Sequence, residues 1–301
     1  MEKVVINEVG LRDGLQNQPQ FIRTEDKFLL FQKLHAAGLR EFEITSFVNP
    51  KAVPQMADAA QLLSLLPALE SGRYTALIPN RRGYELALAS DVRSIALVMS
   101  STDEFNLRNL RMTLEQVIAV CREIIQQAKK DQVFVRVYIS GACGCPYKGE
   151  VATDHIFRLV EKVADADEIS IADTIGCGSP NQIRALLKPL VAQYGAAKFN
   201  LHLHDTRGMA VANAWAGLDE GIRNFDASIG GLGGCPFAPG AAGNLATEDL
   251  VVLLDGCGYQ TGVDTGLLLE AIAVAEDLIG IPLGGKSRKW LQQPRSGHCN
   301  L

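Results

Sequence analysis

Strand-like runs and helical patterns alternate along this chain eight times, and that alternation limits the fold more than any other feature. The strand-like runs are Val4–Val9, Glu41–Ser46, Tyr74–Ile78, Ser94–Met99, Val133–Ile139, Glu168–Ala172, Phe199–His204 and Asn224–Ile229. The first is nearly continuous in β-branched residues, as a strand covered on both faces should be. The first helix opens at Thr24, read as its cap. It carries Phe28, Leu29, Phe31, Leu34 and Ala37 on one stripe and ends at Gly38. Further helical patterns follow at Arg82–Ala89, Leu114–Lys129, Thr153–Ala164, Pro180–Gln193, Met209–Asp219 and Thr247–Leu254. Strands that alternate with helices imply a parallel sheet. Eight such units in about 250 residues suit an α/β fold of the (β/α)8 TIM-barrel type. A last helix at Leu267–Leu278 and a polar tail from Gly284 form a C-terminal helical extension. No low-complexity linker interrupts the chain. One domain is expected over residues 1–301, with the barrel ending near 260 and the appendage over 261–301. An open doubly wound sheet is the alternative, but no Gly-rich dinucleotide turn follows strand one.

In a barrel, functional groups sit at the C-terminal ends of strands and in the loops after them. That rule selects Arg12 and Asp13 after strand one, Glu43 on strand two, Asp173 at the end of strand six, and His202 and His204 on strand seven. It also selects the Gly-rich stretch 230–240 with Cys235, and then Asn244. His202 and His204 are two of only five histidines and point to one strand face. On the residues alone they are either hydrogen-bonded core histidines or half of a metal site. A buried ionised carboxylate without a partner costs on the order of several kcal/mol, so Asp13 and Glu43 need partners. A divalent cation satisfies Asp13, His202 and His204 together. Imidazole, carboxylate and amide donors suit Mg²⁺, Mn²⁺ or Co²⁺, with Zn²⁺ also compatible. Asp13 also reads as a turn aspartate and Glu43 as a salt-bridge partner of Arg12. Cys235, in its Gly-rich loop, could give or take a proton, or be an incidental thiol. Cys143 and Cys145 lack a second pair at zinc spacing and read as core or loop thiols.

Composition narrows the function classes. The chain has 301 residues, 47% of them hydrophobic, which is enough for one large core. Net charge is −5 with no long basic run, so nucleic acid is not an expected partner. Seven cysteines, an odd number in a long chain, read as reduced thiols in a cytoplasmic protein. The chain enters a strand at Val4, which leaves no room for a leader. Its longest apolar runs are too short to span a bilayer.

Several motifs carry a resemblance. Glu8-Val9-Gly10-Leu11-Arg12-Asp13-Gly14-Leu15-Gln16-Asn17, Glu43-Ile44-Thr45-Ser46-Phe47, and Gly144-Cys145-Pro146-Tyr147 are similar to the 3-hydroxy-3-methylglutaryl-CoA lyase family. So are Asp173-Thr174-Ile175-Gly176 and the block from Gly230 to Asp249. The Gly-Gly-Cys-Pro loop at Cys235 is the specific part, because related isopropylmalate and homocitrate synthases carry a Glu-Arg-containing loop there. The resemblance implies retro-Claisen cleavage of 3-hydroxy-3-methylglutaryl-CoA to acetyl-CoA and acetoacetate. It implies a divalent cation and no organic cofactor. Asp13, His202, His204 and Asn244 would hold the cation, which would bind two substrate oxygens. Arg12 would stabilise the enolate oxygen, Glu43 would position Arg12 and the metal shell, Asp173 would help remove or relay the hydroxyl proton, and Cys235 would protonate the enolate carbon or guard the site as its loop closes. Gln16, Ser46, Asn109, Tyr138 and Arg207 would join Arg12 against the substrate, with Lys51 and Asn80 toward CoA. A homodimer is expected from the resemblance.

The match has departures. Arg207 stands where the family usually has an aromatic residue, Leu11 where Pro is usual and Met209 where Gln is usual. Arg207 would either pair with an acidic loop residue or read an extra substrate carboxylate, which keeps citramalyl-CoA and longer 3-hydroxy-3-alkylglutaryl-CoA thioesters open as substrates. Two other classes compete: a condensing synthase or aldolase, and a catalytically silent barrel. The Cys235 loop argues against the first. The presence of Arg12, Asp13, Glu43, His202, His204, Cys235 and Asn244 together argues against the second.

Overall fold

A computed structural model describes residues 2–69, 71–234 and 243–293. Eight strands form a closed parallel barrel in chain order. They are β1 (Val5–Glu8), β2 (Glu41–Ser46), β3 (Arg73–Leu77), β4 (Ser94–Ser100), β5 (Phe134–Ser140), β6 (Glu168–Asp173), β7 (Phe199–Leu203) and β8 (Asn224–Ala227). The barrel closes where β8 pairs with β1, with Asn7 opposite Asp226. Around it lie α1 (Thr24–Ala36), α2 (Ala59–Leu65), α3 (Arg81–Ala89), α4 (Asp103–Asn109), α5 (Leu114–Asp131), α6 (Thr153–Lys162), α7 (Pro180–Tyr194), α8 (Ala210–Asp219) and α9 (Thr247–Gly256). The chain continues into α10 (Thr265–Ile279), which packs on α1, and the short α11 (Arg288–Leu291). The fold is the (β/α)8 TIM barrel with a C-terminal helical extension. Among the described residues, no helix is long and apolar enough to cross a membrane.

The two-residue period of the strands sorts the core into layers. Phe42, Ile44, Val135, Val137, Ile169, Ile171, Leu201, Leu203 and Phe225 are buried in the apolar core shared with the helices. Each such side chain stabilises the fold by roughly 1.5–3 kcal/mol. The alternate positions, Asn7, Glu43, Arg136, Tyr138, His202 and Asp226, meet one another inside the barrel. A barrel interior is usually filled by branched apolar residues. Here the apolar layer outside the strands carries the packing, and the interior is polar.

Four local features differ from the sequence expectation. Helices α2 and α4 are only seven residues each, too short for a helical period to stand out. Thr24 does not cap α1. Arg23 takes that position, and the Thr24 hydroxyl donates to Asp58 at 2.9 Å. Strand seven stops at Leu203, and His204 bridges to Asn244 instead. The loop after β1 is a π-helical turn at Gly10–Gly14, in which the amides of Arg12, Asp13 and Gly14 all donate to the Val9 carbonyl.

Glu8 anchors that turn. Its buried carboxylate accepts from the amides of Gly10 (2.8 Å) and Ile229 (2.9 Å) and from the Thr247 hydroxyl (2.6 Å). A Cβ on Gly10 would lie 2.6 Å from that carboxylate, so only glycine fits. Burial pushes the Glu8 pKa up from 4.5 to about 7 despite the three donors. The folded protein then binds a proton that the unfolded chain releases between those values, so stability falls as pH rises from 4.5 to about 7. Relative to Glu8→Gln, the wild-type chain is expected to lose about 3 kcal/mol of unfolding free energy across that window. Urea denaturation of both proteins at several pH values checks this, and parallel profiles would refute it.

Candidate metal centre

Three elements bring the site together at the C-terminal mouth of the barrel. The π-helical turn after β1 supplies Arg12 and Asp13, the end of β7 supplies His202 and His204, and the bridge to His204 brings in Asn244. Asp13, His202 and His204 each offer a ligand atom, and these atoms lie within 4.8 Å of one another. His202 Nε2 and His204 Nε2 face each other at 3.1 Å, so at least one presents a lone pair. His202 Nε2 is 4.0 Å from Asp13 Oδ2. Asn244 Nδ2 donates to Asp13 Oδ2 at 2.8 Å and to the Leu232 carbonyl at 3.1 Å. Its Oδ1 is buried with no hydrogen-bond partner among the described residues. A Cβ on the preceding Gly243 would fall 1.7 Å from the Gly231 carbonyl oxygen, so a glycine is required for Asn244 to reach the cluster.

Beneath these residues runs one connected set of charges. Arg12 pairs with Glu43 and, at 2.6 Å, with Asp13. Tyr138 OH lies 2.9 Å from Glu43 Oε2 and 2.8 Å from Asp226 Oδ2. Asp226 Oδ2 faces His202 Nδ1 at 3.0 Å, while its Oδ1 accepts from Asn7 and Arg136, both at 2.9 Å. Arg136 also pairs with Glu168. Two guanidiniums therefore face four carboxylates: Asp13, Glu43, Glu168 and Asp226. With all four ionised the set would carry two excess negative charges, which a divalent cation beside Asp13, His202 and His204 would offset. The unpartnered Asn244 oxygen and the facing imidazole nitrogens give the same answer, so the residues present fit such an ion.

The electrostatics follow the same set. Burial alone would raise the Asp13 pKa, but Arg12, His202 and His204 outweigh it and hold the carboxyl below its ordinary range. Burial raises the Glu43 carboxyl, and Arg12 offsets this only in part. Burial works against a charged His202, yet the hydrogen bond and charge of Asp226 raise its pKa. Asp226 itself is held far below the carboxylate range, because Arg136 and His202 overcome its burial. Burial and the two neighbouring carboxylates keep the Tyr138 phenol protonated.

The remaining candidates are placed as follows. Gln16 donates to Asp13 Oδ1 at 3.0 Å, at the edge of the cluster. Ser46 ends β2 with a buried hydroxyl that has no partner among the described residues. Asn109 is exposed at the end of α4, and Lys51 is exposed as well. Asn80 caps α3, accepting from the Gly83 amide at 3.1 Å. Asp173 turns into its own loop, where Cys177 N and Gly178 N donate to its two oxygens, each at 2.9 Å. Among the described residues Arg207 forms no ion pair with an acidic side chain, although its charge works to lower the pKa of the nearby Asp173 carboxyl. Arg207 donates to the carbonyls of Gly176, Cys177 and Gly178. Cys235 lies outside the described residues. Sequence reasoning missed Asp226 and Arg136. The signal available for Asp226 was its inward register opposite Asn7 and beside His202.

A family model described as HMGL-like matches residues 3–278. A hydroxymethylglutaryl-CoA lyase of Bacillus subtilis is 40% identical over 288 residues, covering 95% of this chain and 96% of that protein. An (R)-citramalyl-CoA lyase of Chloroflexus aurantiacus is 40% identical over 298 residues, covering 94% and 92%. The solved structure of hydroxymethylglutaryl-CoA lyase from Pseudomonas aeruginosa superposes with a TM-score of 0.92 at 39% identity, covering 96% of this chain and 97% of that one. The match to the family model spans nearly the whole barrel, and the chain belongs to the HMGL-like family.

Proposed function

We propose that this protein is a divalent-metal-dependent carbon–carbon lyase that cleaves 3-hydroxy-3-methylglutaryl-CoA to acetyl-CoA and acetoacetate. The observation that carries the reading is the convergence of Arg12 with the Asp13, His202 and His204 cluster at the barrel mouth. In the reaction the C3 hydroxyl loses its proton and the C2–C3 bond breaks. The bonding electrons pass to C2 as the enolate of acetyl-CoA, and C3 becomes the ketone of acetoacetate. A proton then adds to C2. A bound Mg²⁺ or Mn²⁺ supplies Lewis acidity and a template for two substrate oxygens.

The protein's residues do the rest. Arg12 faces the developing enolate oxygen, where a fixed positive donor has its largest effect. Glu43 and Asp13 hold the guanidinium from both sides. Asp173 takes up the hydroxyl proton. Cys235 supplies the proton to C2, and Asn244 completes the ligand set. Gln16 and Ser46 line the approach to Arg12, Tyr138 keeps Glu43 in place, and Asn109 contacts the acyl end. Lys51 and Asn80 contact CoA, although the Asn80 side chain also serves as a helix cap. The same reading carries a cytoplasmic homodimer, which light scattering would test.

A second reading keeps the chemistry and moves the substrate to citramalyl-CoA, since a lyase for that thioester matches this chain at the same 40% identity. A cleavage assay on metal-stripped protein, with each thioester and with or without Mn²⁺, decides between them. Metal-dependent acetoacetate from 3-hydroxy-3-methylglutaryl-CoA is the expected result. Turnover of citramalyl-CoA alone would favour the second reading, and metal-independent turnover would overturn both.

A further inference from the structure

The most distinctive polar arrangement outside the charge set joins the loops after β6 and β7. Asp173 Oδ1 accepts from Cys177 N and Oδ2 from Gly178 N, each at 2.9 Å. Arg207 Nε donates to the Gly176 carbonyl at 3.1 Å, and its terminal nitrogen donates to the Cys177 carbonyl. The Gly176 carbonyl and the Cys177 amide belong to one peptide group. The Cys177 carbonyl and the Gly178 amide belong to the next. Both peptide groups therefore lie between a guanidinium at their oxygen ends and a carboxylate at their nitrogen ends. Both dipoles point the way that suits both charges, and hydrogen bonds in series polarise one another.

The surroundings hold this arrangement in place. Gly176 sits at φ +61°, where a Cβ would fall 2.7 Å from the Thr206 hydroxyl and 2.8 Å from the His204 carbonyl. The loop is thus pressed against the segment that carries Arg207. Asn213 on α8 donates to the Gly178 carbonyl at 3.2 Å and steadies its far side. Asp173 is 1% exposed, whereas Arg207 stands at the exposed rim. The carboxylate is buried and its counter-charge remains accessible.

We propose that Arg207 is a positioning residue for Asp173, acting through the two peptide groups between them rather than by touching substrate. The arrangement fixes where the Asp173 oxygens point and offsets part of the burial that raises the carboxyl's pKa. The proposal rests on Asp173 taking up the hydroxyl proton, as proposed above.

The test uses metal-saturated, full-length protein. Arg207→Ala is expected to lower kcat about tenfold to a hundredfold, the range for a hydrogen bond to a charged group, with KM for the acyl-CoA nearly unchanged. Because the vacated site is exposed, millimolar guanidinium should restore much of the lost kcat, while equal sodium chloride should not. Arg207→Lys should recover part of it. In an Asp173→Asn background, Arg207→Ala should add little, because the group it positions is already gone. A raised KM with unchanged kcat in Arg207→Ala would overturn the proposal in favour of substrate reading. A slow Asp173→Asn enzyme on which Arg207→Ala adds in full would overturn the relay alone. A fully active Asp173→Asn enzyme would overturn the proton role of Asp173 and the relay with it.

Discussion

Arg12→Gln is expected to lower kcat by about 10²- to 10³-fold, the loss typical when one donor to a developing oxyanion is removed. The structure makes this residue hard to replace. The residue is 6% exposed, and its guanidinium lies between Glu43 and Asp13. A planar fork reaches both carboxylates at once, whereas the point charge of a lysine reaches one well. Arg12→Lys should therefore recover only a small part of the rate. Glutamine also leaves Glu43 buried without its main counter-charge, and breaking such a pair typically costs about 3–5 kcal/mol of stability. Steady-state kinetics with saturating Mn²⁺, alongside urea denaturation, separate the two effects. The rate loss should appear in kcat with KM nearly unchanged, since the interaction strengthens as the enolate forms. A kcat close to wild type would remove Arg12 from the chemistry.

The sequence made some parts of this arrangement legible and hid others, for physical reasons. The strand–helix alternation showed the barrel because each unit is local and repeats. His202 and His204 stood out because a strand puts residues two apart on one face. Arg12, Asp13 and Glu43 were found by their place at strand ends. Asp226 and Arg136 were not. Each is the one charged residue of its strand, and they are 90 positions apart in the chain. Only barrel closure, with β8 returning to β1, brings Asn7 and Asp226 opposite each other. The π-helical turn at Gly10–Gly14 was hidden too, because its amides converge on a single carbonyl and leave no periodic pattern. Arg207 was noticed as a departure from the family pattern. Its partners are backbone carbonyls, which leave no trace in side-chain composition.

Asp226→Asn should weaken Mn²⁺ binding about tenfold to a hundredfold, the usual effect of losing the group that orients a ligating histidine. The argument turns on which end of the new amide faces which neighbour. Asp226 Oδ1 accepts from two donors, Asn7 and Arg136, and Arg136 is a fixed cation. The amide oxygen of asparagine will take that side. Its NH2 then occupies the place of Oδ2, facing Tyr138 OH and His202 Nδ1. Tyr138 can adapt by accepting there and donating its proton to Glu43 Oε2. His202 can satisfy the NH2 only by presenting a bare Nδ1, which moves the ring proton to Nε2. Nε2 is the nitrogen that faces His204 and Asp13, and a protonated nitrogen cannot ligate a cation. The substitution is isosteric and leaves Arg136 paired with Glu168, so cooperative unfolding should persist. Mn²⁺ titration by calorimetry reads the affinity directly, independently of turnover. Binding as tight as wild type would mean that Asp226 does not set the His202 tautomer, and its four hydrogen bonds would then serve the barrel core alone.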